Sequence, residues 1–475
     1  MKVIYSNKNI SPYGGILPIL KAINDCGIPN VIRRTLGVRA QQALYGYEDV
    51  FLAWVLTTLC GGMRLDHITN LKKKLRIIPG LKLPSHDTLG RVMKKLATEQ
   101  RAKEIVSGSG KKQHMHTNLY NENDKMSEML IKVTKRIGAL EVGRKYTLHI
   151  DSTFIETNCA TSHKDSKYKR YGYYPMVCLI DDMPVYISMR NGDVNAKFQL
   201  KECLERCLDL LAANNITISR VIIDNAGYIV EVMKMLTDRG IAFNIHMQYN
   251  SYYKRMVKEL DKVMNWEKIE LETAYFVRDC EVGDFHYTPN ESEYAYRIVA
   301  AREYTRRTKI NRENRAERVR RKNVEEHFSK LEKNKPGIVK RYSKPYALGE
   351  WSLHDKYKVK LIITNDIKTS PKDLLLEYNQ RGATERQFDA MKNDFGWRLP
   401  PFMKMEQNTV FMIAAALANN IFRGILKRFK KVFKELRLET RLPEFQFVFI
   451  EVACQLVKKD FYRYFHPAFD YEKLM

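Results

Sequence analysis

Apolar residues recur at helical spacing in Ile16–Ile23, Tyr47–Cys60 and Leu65–Leu75, and these runs are broken by Gly61-Gly62 and Pro79-Gly80. The first hundred residues therefore predict a group of helices. Ser85 then stands where a helix would be capped, ahead of a stretch ending Gly90-Arg91-Val92-Met93-Lys94-Lys95-Leu96. That segment reads either as an ordinary amphipathic surface helix or as the recognition helix of a helix-turn-helix-like unit, with Arg91, Lys94 and Lys95 on DNA. Ser107-Gly-Ser-Gly-Lys-Lys-Gln-His predicts a flexible boundary, and His114 and His116 read as solvated loop.

Beyond that boundary strands and helices alternate. Tyr146–Asp151 predicts a strand, Tyr174–Ile180 and Val185–Met189 a hairpin, and Ala196–Ala213 an amphipathic helix. Val221–Ile223 and Ile241–Met247 read as strands on either side of a helix over Ile229–Arg239. The order implies a mixed α/β fold, a sheet carrying packed helices as in ribonuclease-H-like domains. From Gln248 to Thr369 the β-rich pieces Glu267–Val277, Tyr294–Ala301 and Tyr357–Thr364 flank a highly charged stretch, as an insertion would. A helix over Asp373–Phe395 and a helical C-terminal part, Asn408–Lys434 and Phe445–Lys458, complete the chain. The expected domains are a helical DNA-end-binding region at 1–118, the first part of the core at 119–247, a basic β-rich insertion at 248–369, a core helix at 370–400, and a helical C-terminal region at 401–475 suited to oligomerisation.

Charge narrows the partner. Over 475 residues the net charge is +26, an excess that calls for a polyanion held by its phosphates, and nucleic acid leads. Arg302–Lys322 alone carries ten Lys or Arg, among them Arg306, Arg307, Arg318, Arg320 and Arg321, and is expected to touch DNA phosphates. The apolar runs Val50–Cys60 and Val410–Ala418 are too short to cross a bilayer and read as buried helices, so no membrane partner is expected. The first residues lack the pattern of a secretory signal. Eight scattered cysteines with no Cys-x2-Cys pair suit reduced thiols in a cytoplasm, with Cys203 and Cys207 as core.

The candidate chemistry is carried by acids. Asp151 ends one predicted strand and Asp224 another, and two carboxylates at neighbouring strand ends can share a hard cation; a strand-end Asp such as Asp224 also suits capping the next helix. In 373–395, Tyr378, Arg381, Glu385 and Lys392 fall within roughly 60° of one another on one helical face. Asp389 lies only about 40° from Glu385, so geometry leaves two candidate carboxylates there.

These four residues match the Tyr-x2-Arg-x3-Glu-x6-Lys signature of bacterial insertion-sequence transposases of the Asp-Asp-Glu type. The chain also resembles that family at Ile150-Asp151-Ser152-Thr153 and at Asp224-Asn225-Ala226-Gly227-Tyr228, while Arg190-Asn191-Gly192-Asp193 resembles an Arg-and-Gly loop in relatives and receives no role. The resemblance covers the architecture from about Tyr146 onward. It implies that Asp151, Asp224 and Glu385 hold two Mg²⁺ ions, replaceable by Mn²⁺, about 3.5–4 Å apart. It further implies that Tyr378, Arg381 and Lys392 position DNA phosphates, and that double-stranded element ends are cut and joined to target DNA through a hairpin intermediate. A homodimer assembled on DNA and a nucleoid-associated, cytoplasmic place in a bacterium are expected. Trp266, Trp351 and Trp397 are available to stack on a base. Two rival readings are a catalytically silent DNA-binding descendant and a nuclease without strand transfer.

Overall fold

In the computed structural model, residues 9–107, 114–165, 169–247, 260, 265–272, 277–304, 357–458, 461–465 and 470–474 are described. In chain order, β1 (Ile10–Ser11) leads into α1 (Ile16–Asp25), α2 (Ile28–Leu36), α3 (Tyr47–Leu59), α4 (Ile68–Lys74) and α5 (His86–Leu96). Next come β2 (Arg101–Ser107), β3 (His114–Glu122), α6 (Asp124–Arg136), β4 (Lys145–Ser152), and three short strands, β5 (Ile155–Glu156), β6 (His163–Lys164) and β7 (Tyr171–Tyr173). The hairpin β8 (Met176–Ile180) and β9 (Met183–Arg190) precedes α7 (Leu200–Ala213) and β10 (Thr217–Ile223). Then follow α8 (Val230–Asp238), β11 (Ala242–His246), β12 (Glu267–Glu272), β13 (Val277–Tyr287), β14 (Tyr296–Tyr304), β15 (Tyr357–Thr364) and α9 (Pro371–Asn379). The last elements are α10 (Gly382–Asn393), α11 (Met405–Val432), α12 (Leu442–Phe445), β16 (Cys454–Lys458) and β17 (Phe461–Tyr464).

The chain divides into two compact units, 1–223 with 380–475, and 224–379. In the first unit the strand order is β10-β4-β8-β9-β3-β2; β10 and β4 run parallel and the other neighbours antiparallel. Every residue of β8 and β9 is buried, as strands covered on both faces require. The cover on β9 is α11, a helix of 28 residues with a window of mean hydropathy 1.5. Length and composition alone would let it cross a membrane, yet 94% of that window is buried inside the protein. Its two central asparagines show why it belongs to a core: Asn420 Nδ2 donates to Pro184 O at 2.8 Å and to Thr134 Oγ1 at 2.9 Å, and Asn419 Nδ2 donates to Asp182 O at 3.1 Å. Gly424 lets α11 approach the end of α6, because a Cβ there would lie 2.5 Å from Ile137 Cγ2.

The second unit has its own antiparallel sheet, β12-β13-β14-β15-β11, with α9 packed on β13 and β14 and α8 on β11.

Four expectations need correction. His114 and His116 lie on β3, whose residues 114–120 pair with β2 and whose end joins β9, rather than in a loop. The predicted strand Glu267–Val277 is two strands, β12 and the start of β13. The helix expected over Phe445–Lys458 persists only to Ile450; Cys454–Lys458 is a strand held between β1 and β17, because Cys454 and Leu456 alternate and find partners on both edges. The single helix over 373–395 is two helices, broken at Gln380-Arg381 ahead of Gly382, a residue that weakens a helix by about 1 kcal/mol relative to Ala.

Candidate active site

The acids are set by strand register. Parallel pairing places Ile223 of β10 beside Ile150 of β4, and each of these residues is followed in the chain by an aspartate, Asp224 and Asp151. Asp151 is 14% exposed at its side chain; its Oδ1 accepts from Ser152 N at 2.8 Å and its Oδ2 from Arg381 Nη2 at 2.7 Å. Asp224 caps the single turn Asn225–Gly227, accepting from Ala226 N at 2.9 Å. It thus caps this short turn rather than the following helix α8, whose N-cap is Ile229.

Beneath Asp151 lies a residue that sequence reasoning left without a role. Arg190 is completely buried at the end of β9. Its guanidinium donates to Ser152 Oγ at 2.7 Å and to the carbonyls of Phe198 at 2.7 Å, Tyr174 at 3.0 Å and Ala196 at 3.2 Å. Burial lowers its pKa to about 10, still far above neutrality, so it remains a cation fixed beside Ser152, the last residue of β4. The Arg-Asn-Gly-Asp loop continues this scaffold. Asn191 Oδ1 accepts from Leu119 N at 2.7 Å, and a Cβ on Gly192 would lie 2.6 Å from the carbonyl oxygens of Gly172 and His163. His163 and Asp193 pair at 3.1 Å; the hydrogen bond that the His163 ring donates to the Asp193 carboxylate raises the histidine pKa. Asp193 is lowered in turn, its bonds to His163 and Asn191 outweighing burial.

On the same strand, His149 is two residues before Asp151. Burial, with the charge of Arg381 adding to it, pushes its pKa down to about 4, so it is a neutral imidazole at physiological pH.

The signature residues separate along the broken helix. Arg381 is the N-cap of α10, Glu385 sits exposed in its first turn, and Lys392 lies half-buried in its last. Burial, and then the nearby charge of Arg398, lower the Lys392 pKa. Tyr378 is on α9 in the other unit, buried, its ring 6.0 Å from that of His246 with Lys360 Nζ 5.3 Å above it. Asp389, the rival of Glu385, is engaged: its oxygens accept from Arg441 Nη1 at 2.7 Å and Asn393 Nδ2 at 2.6 Å. Arg441 also grips buried Asp394 through two bonds, of 2.8 and 2.7 Å, so Asp389 belongs to a structural cluster.

Among the described residues no group of three or more His, Cys, Asp or Glu is gathered as a ready metal site. Asp151 is itself an oxygen donor of the kind a hard cation takes, and its Oδ2 accepts from a positive group at bonding distance.

Elsewhere, Ser85 caps α5 as expected, accepting from Thr88 N at 3.3 Å, and Arg91, Lys94 and Lys95 are exposed along that helix. Cys203 and Cys207 are core residues. Trp397 is fully buried with Nε1 donating to Met412 O at 3.1 Å, which removes it as a stacking platform, and Arg302 lies 4.0 Å over the Trp266 ring. Trp351, Arg306, Arg307, Arg318, Arg320 and Arg321 lie outside the described residues.

Residues 1–312 match the family model "Transposase DDE domain group 1", more than half of the chain, and the chain belongs to that family. DDE transposases cut DNA and generally use divalent metal ions. No protein of curated function matches the chain in sequence. Among solved structures, the chain is similar to the piggyBac transposase synaptic complex with hairpin DNA, at 11% identity and a TM-score of 0.37, over 93% of this chain and 81% of that one. It is also similar to the Drosophila P element transposase strand transfer complex, at 11% identity and a TM-score of 0.23, over 90% and 89% of the two chains. The family match, rather than these remote likenesses, places the protein.

Proposed function

We propose that this chain is an active transposase of the bacterial insertion-sequence type, which binds the ends of a mobile DNA element, cuts them and joins them to target DNA. The observation that carries the reading is the parallel register of β4 and β10, which brings Ile150 and Ile223 level and an aspartate after each. The order β9-β8-β4-β10, an antiparallel hairpin on one side of β4 and a parallel neighbour on the other, supports a ribonuclease-H-like core.

In this reading Asp151, Asp224 and Glu385 hold two Mg²⁺ ions, with Mn²⁺ as a substitute. Bound there, such ions activate a water or a 3′-hydroxyl and stabilise the departing oxygen at phosphorus. The protein's own contributions are positional. Arg190 fixes Ser152, and through it the strand end that presents Asp151. Arg381 pairs with Asp151, and its planar fork also matches a DNA phosphate. Lys392 offers a second cation to DNA phosphates, and Tyr378 is proposed as a DNA contact in its own right. Helix α5, with Arg91, Lys94 and Lys95, contacts the element end, and the run 302–322 adds phosphate contacts that read no sequence. Cut-and-paste excision through a hairpin, a homodimer on DNA, and a nucleoid-associated place in a bacterial cytoplasm complete the proposal.

The test is incubation of the protein and Mg²⁺ with labelled element ends and a target plasmid. Joined product supports transposition, cutting without joining points to a nuclease, and binding alone to a silent descendant.

A further inference from the structure

Helix α10 carries Glu385 in its first turn but has little of its own to fix that turn. It opens on Gly382, and its N-cap residue, Arg381, forms no side-chain cap. Glycine costs a helix backbone entropy and the missing cap leaves amide groups to other partners, so this turn depends on the rest of the fold to hold it. At the other end Asp394, the C-cap residue, puts a carboxylate where the helix macrodipole disfavours one.

One arginine accounts for that acid. Arg441 Nε and Nη2 donate to the two carboxylate oxygens of Asp394 at 2.8 and 2.7 Å, and Arg441 Nη1 donates to Asp389 Oδ2 at 2.7 Å. The Asp394 side chain is 5% exposed, so the grip is closed to solvent on the helix side. Arg423 of α11 adds a second hold: its Nη2 donates to Oε1 of buried Gln387 at 3.5 Å and lies 3.7 Å from Asp182 Oδ2 in the β8-β9 turn.

The main anchor is itself fixed. Arg441 is the N-cap of α12, and Phe445 of that helix is fully buried, its ring 5.4 Å from Phe422, 5.3 Å from Phe429 and 4.9 Å from Phe449. Beside it Gln446 Nε2 donates to the carbonyls of Thr58 and Leu59 at 3.1 and 3.0 Å, at the end of α3. Glu385 therefore stands between two arginine ties. Arg381, four residues before it, bonds Asp151, and Asp389, four residues after it, bonds Arg441. Four residues are about 6 Å of helical rise, so a slide or tilt of α10 at either tie is carried to Glu385.

We propose that Arg441 is a positioning residue for cleavage: by gripping Asp394 and Asp389 it fixes α10 and so sets where the Glu385 carboxylate stands relative to Asp151. This rests on the proposal that Glu385 completes the metal site.

The test compares Arg441→Gln, Arg441→Lys and Glu385→Ala with the wild type in the full chain. Four quantities are read: thermal melting, affinity for element-end duplex without divalent metal, Mn²⁺ affinity by titration calorimetry without DNA, and single-turnover cleavage in Mn²⁺. Loss of a group that orients a metal ligand typically costs about ten- to a hundredfold in metal affinity or activity, and Arg441→Gln should fall in that range for both. Its affinity for duplex should stay within about twofold of the wild type, since phosphate contacts lie elsewhere. Arg441→Lys should recover only part of the loss, because an ammonium cannot span both oxygens of Asp394 and also reach Asp389. A lowered melting temperature with wild-type Mn²⁺ affinity and a wild-type rate per folded molecule would overturn the proposal. Should Arg441→Gln fail to fold, Arg441→Lys and Asp394→Asn carry the same comparison, and wild-type Mn²⁺ affinity in both overturns it. Wild-type Mn²⁺ affinity and cleavage in Glu385→Ala would sink the assignment of Glu385 itself, whereas loss there with Arg441→Gln unaffected sinks only the positioning role.

Discussion

Arg381 Nη2 donates to Asp151 Oδ2 at 2.7 Å across 230 residues of chain, joining the N-cap of α10 to the end of β4. A cation thus already sits on a carboxylate that is mostly shielded from solvent. If this guanidinium holds the place of a metal ion, Arg381→Gln should bind Mn²⁺ more tightly than the wild type in the absence of DNA, while cutting DNA more slowly because a phosphate contact is gone. Titration calorimetry with Mn²⁺ reads the first effect. Unchanged or weaker Mn²⁺ binding would mean that the pair has no part in metal occupancy.

The two acids of α10 divide by their partners. Glu385 is exposed, whereas Asp389 is tied to Arg441 and Asn393. Glu385→Ala is expected to lose cleavage in both Mg²⁺ and Mn²⁺ with little change in stability. Asp389→Ala should retain most cleavage and lose about 1 kcal/mol of stability, since its ion pair is largely exposed. Cleavage assays beside urea unfolding distinguish the two; a dead but folded Asp389→Ala with an active Glu385→Ala would reverse the assignment.

Arg190 supports Asp151 through Ser152, and its removal would strand the carbonyls of Tyr174, Ala196 and Phe198 in the core. Arg190→Met should cost roughly 3–5 kcal/mol in urea unfolding, and Arg190→Lys should recover only part of it, because an ammonium cannot reproduce the fork. A loss below about 1 kcal/mol would show that the strand end needs no such anchor.

The His163–Asp193 pair gives a pH signature. His163 has a raised pKa in the folded chain, so its contribution is complete below the unfolded value of about 6.5 and is lost as pH rises through the folded value. Asp193 has a lowered pKa, so its share is present above its ordinary value and lost as pH falls through the folded one. Both side chains are more than a third exposed or nearly so, and screening limits the effect to about 1 kcal/mol. The urea midpoint of His163→Gln should fall further below the wild type at pH 5.5 than at pH 8.5; an equal gap at both would remove the pair as the cause.

Much of this was legible in the sequence where the pattern is local. The hairpin β8-β9, helices α7 and α8, and strands β10 and β11 fall within a few residues of expectation because each has a plain period of two or 3.6. The acids after Ile150 and Ile223 were also visible. What local pattern cannot carry is partnership at long range. Nothing near Arg190 marks it as the anchor of Ser152, and nothing near Asp389 announces Arg441. The break between Tyr378 and Glu385 falls at Gln380-Arg381, where the chain passes from one compact unit to the other, and a continuous helical stripe hid it. Cys454–Lys458 became a strand because β1, more than four hundred residues earlier, offered an edge.

The central claim is that Asp151 and Asp224 serve metal-dependent DNA cleavage rather than DNA binding or folding. It is tested most directly by Asp151→Asn and Asp224→Asn, substitutions that keep side-chain shape and remove charge. Each would be assayed on labelled element-end duplex, with gel shift and cleavage in Mg²⁺ measured on the same preparations. The account predicts binding within about threefold of the wild type, because phosphate contacts come from the basic surface, together with no detectable nick or joined product. Cleavage at the wild-type rate by either variant would contradict it.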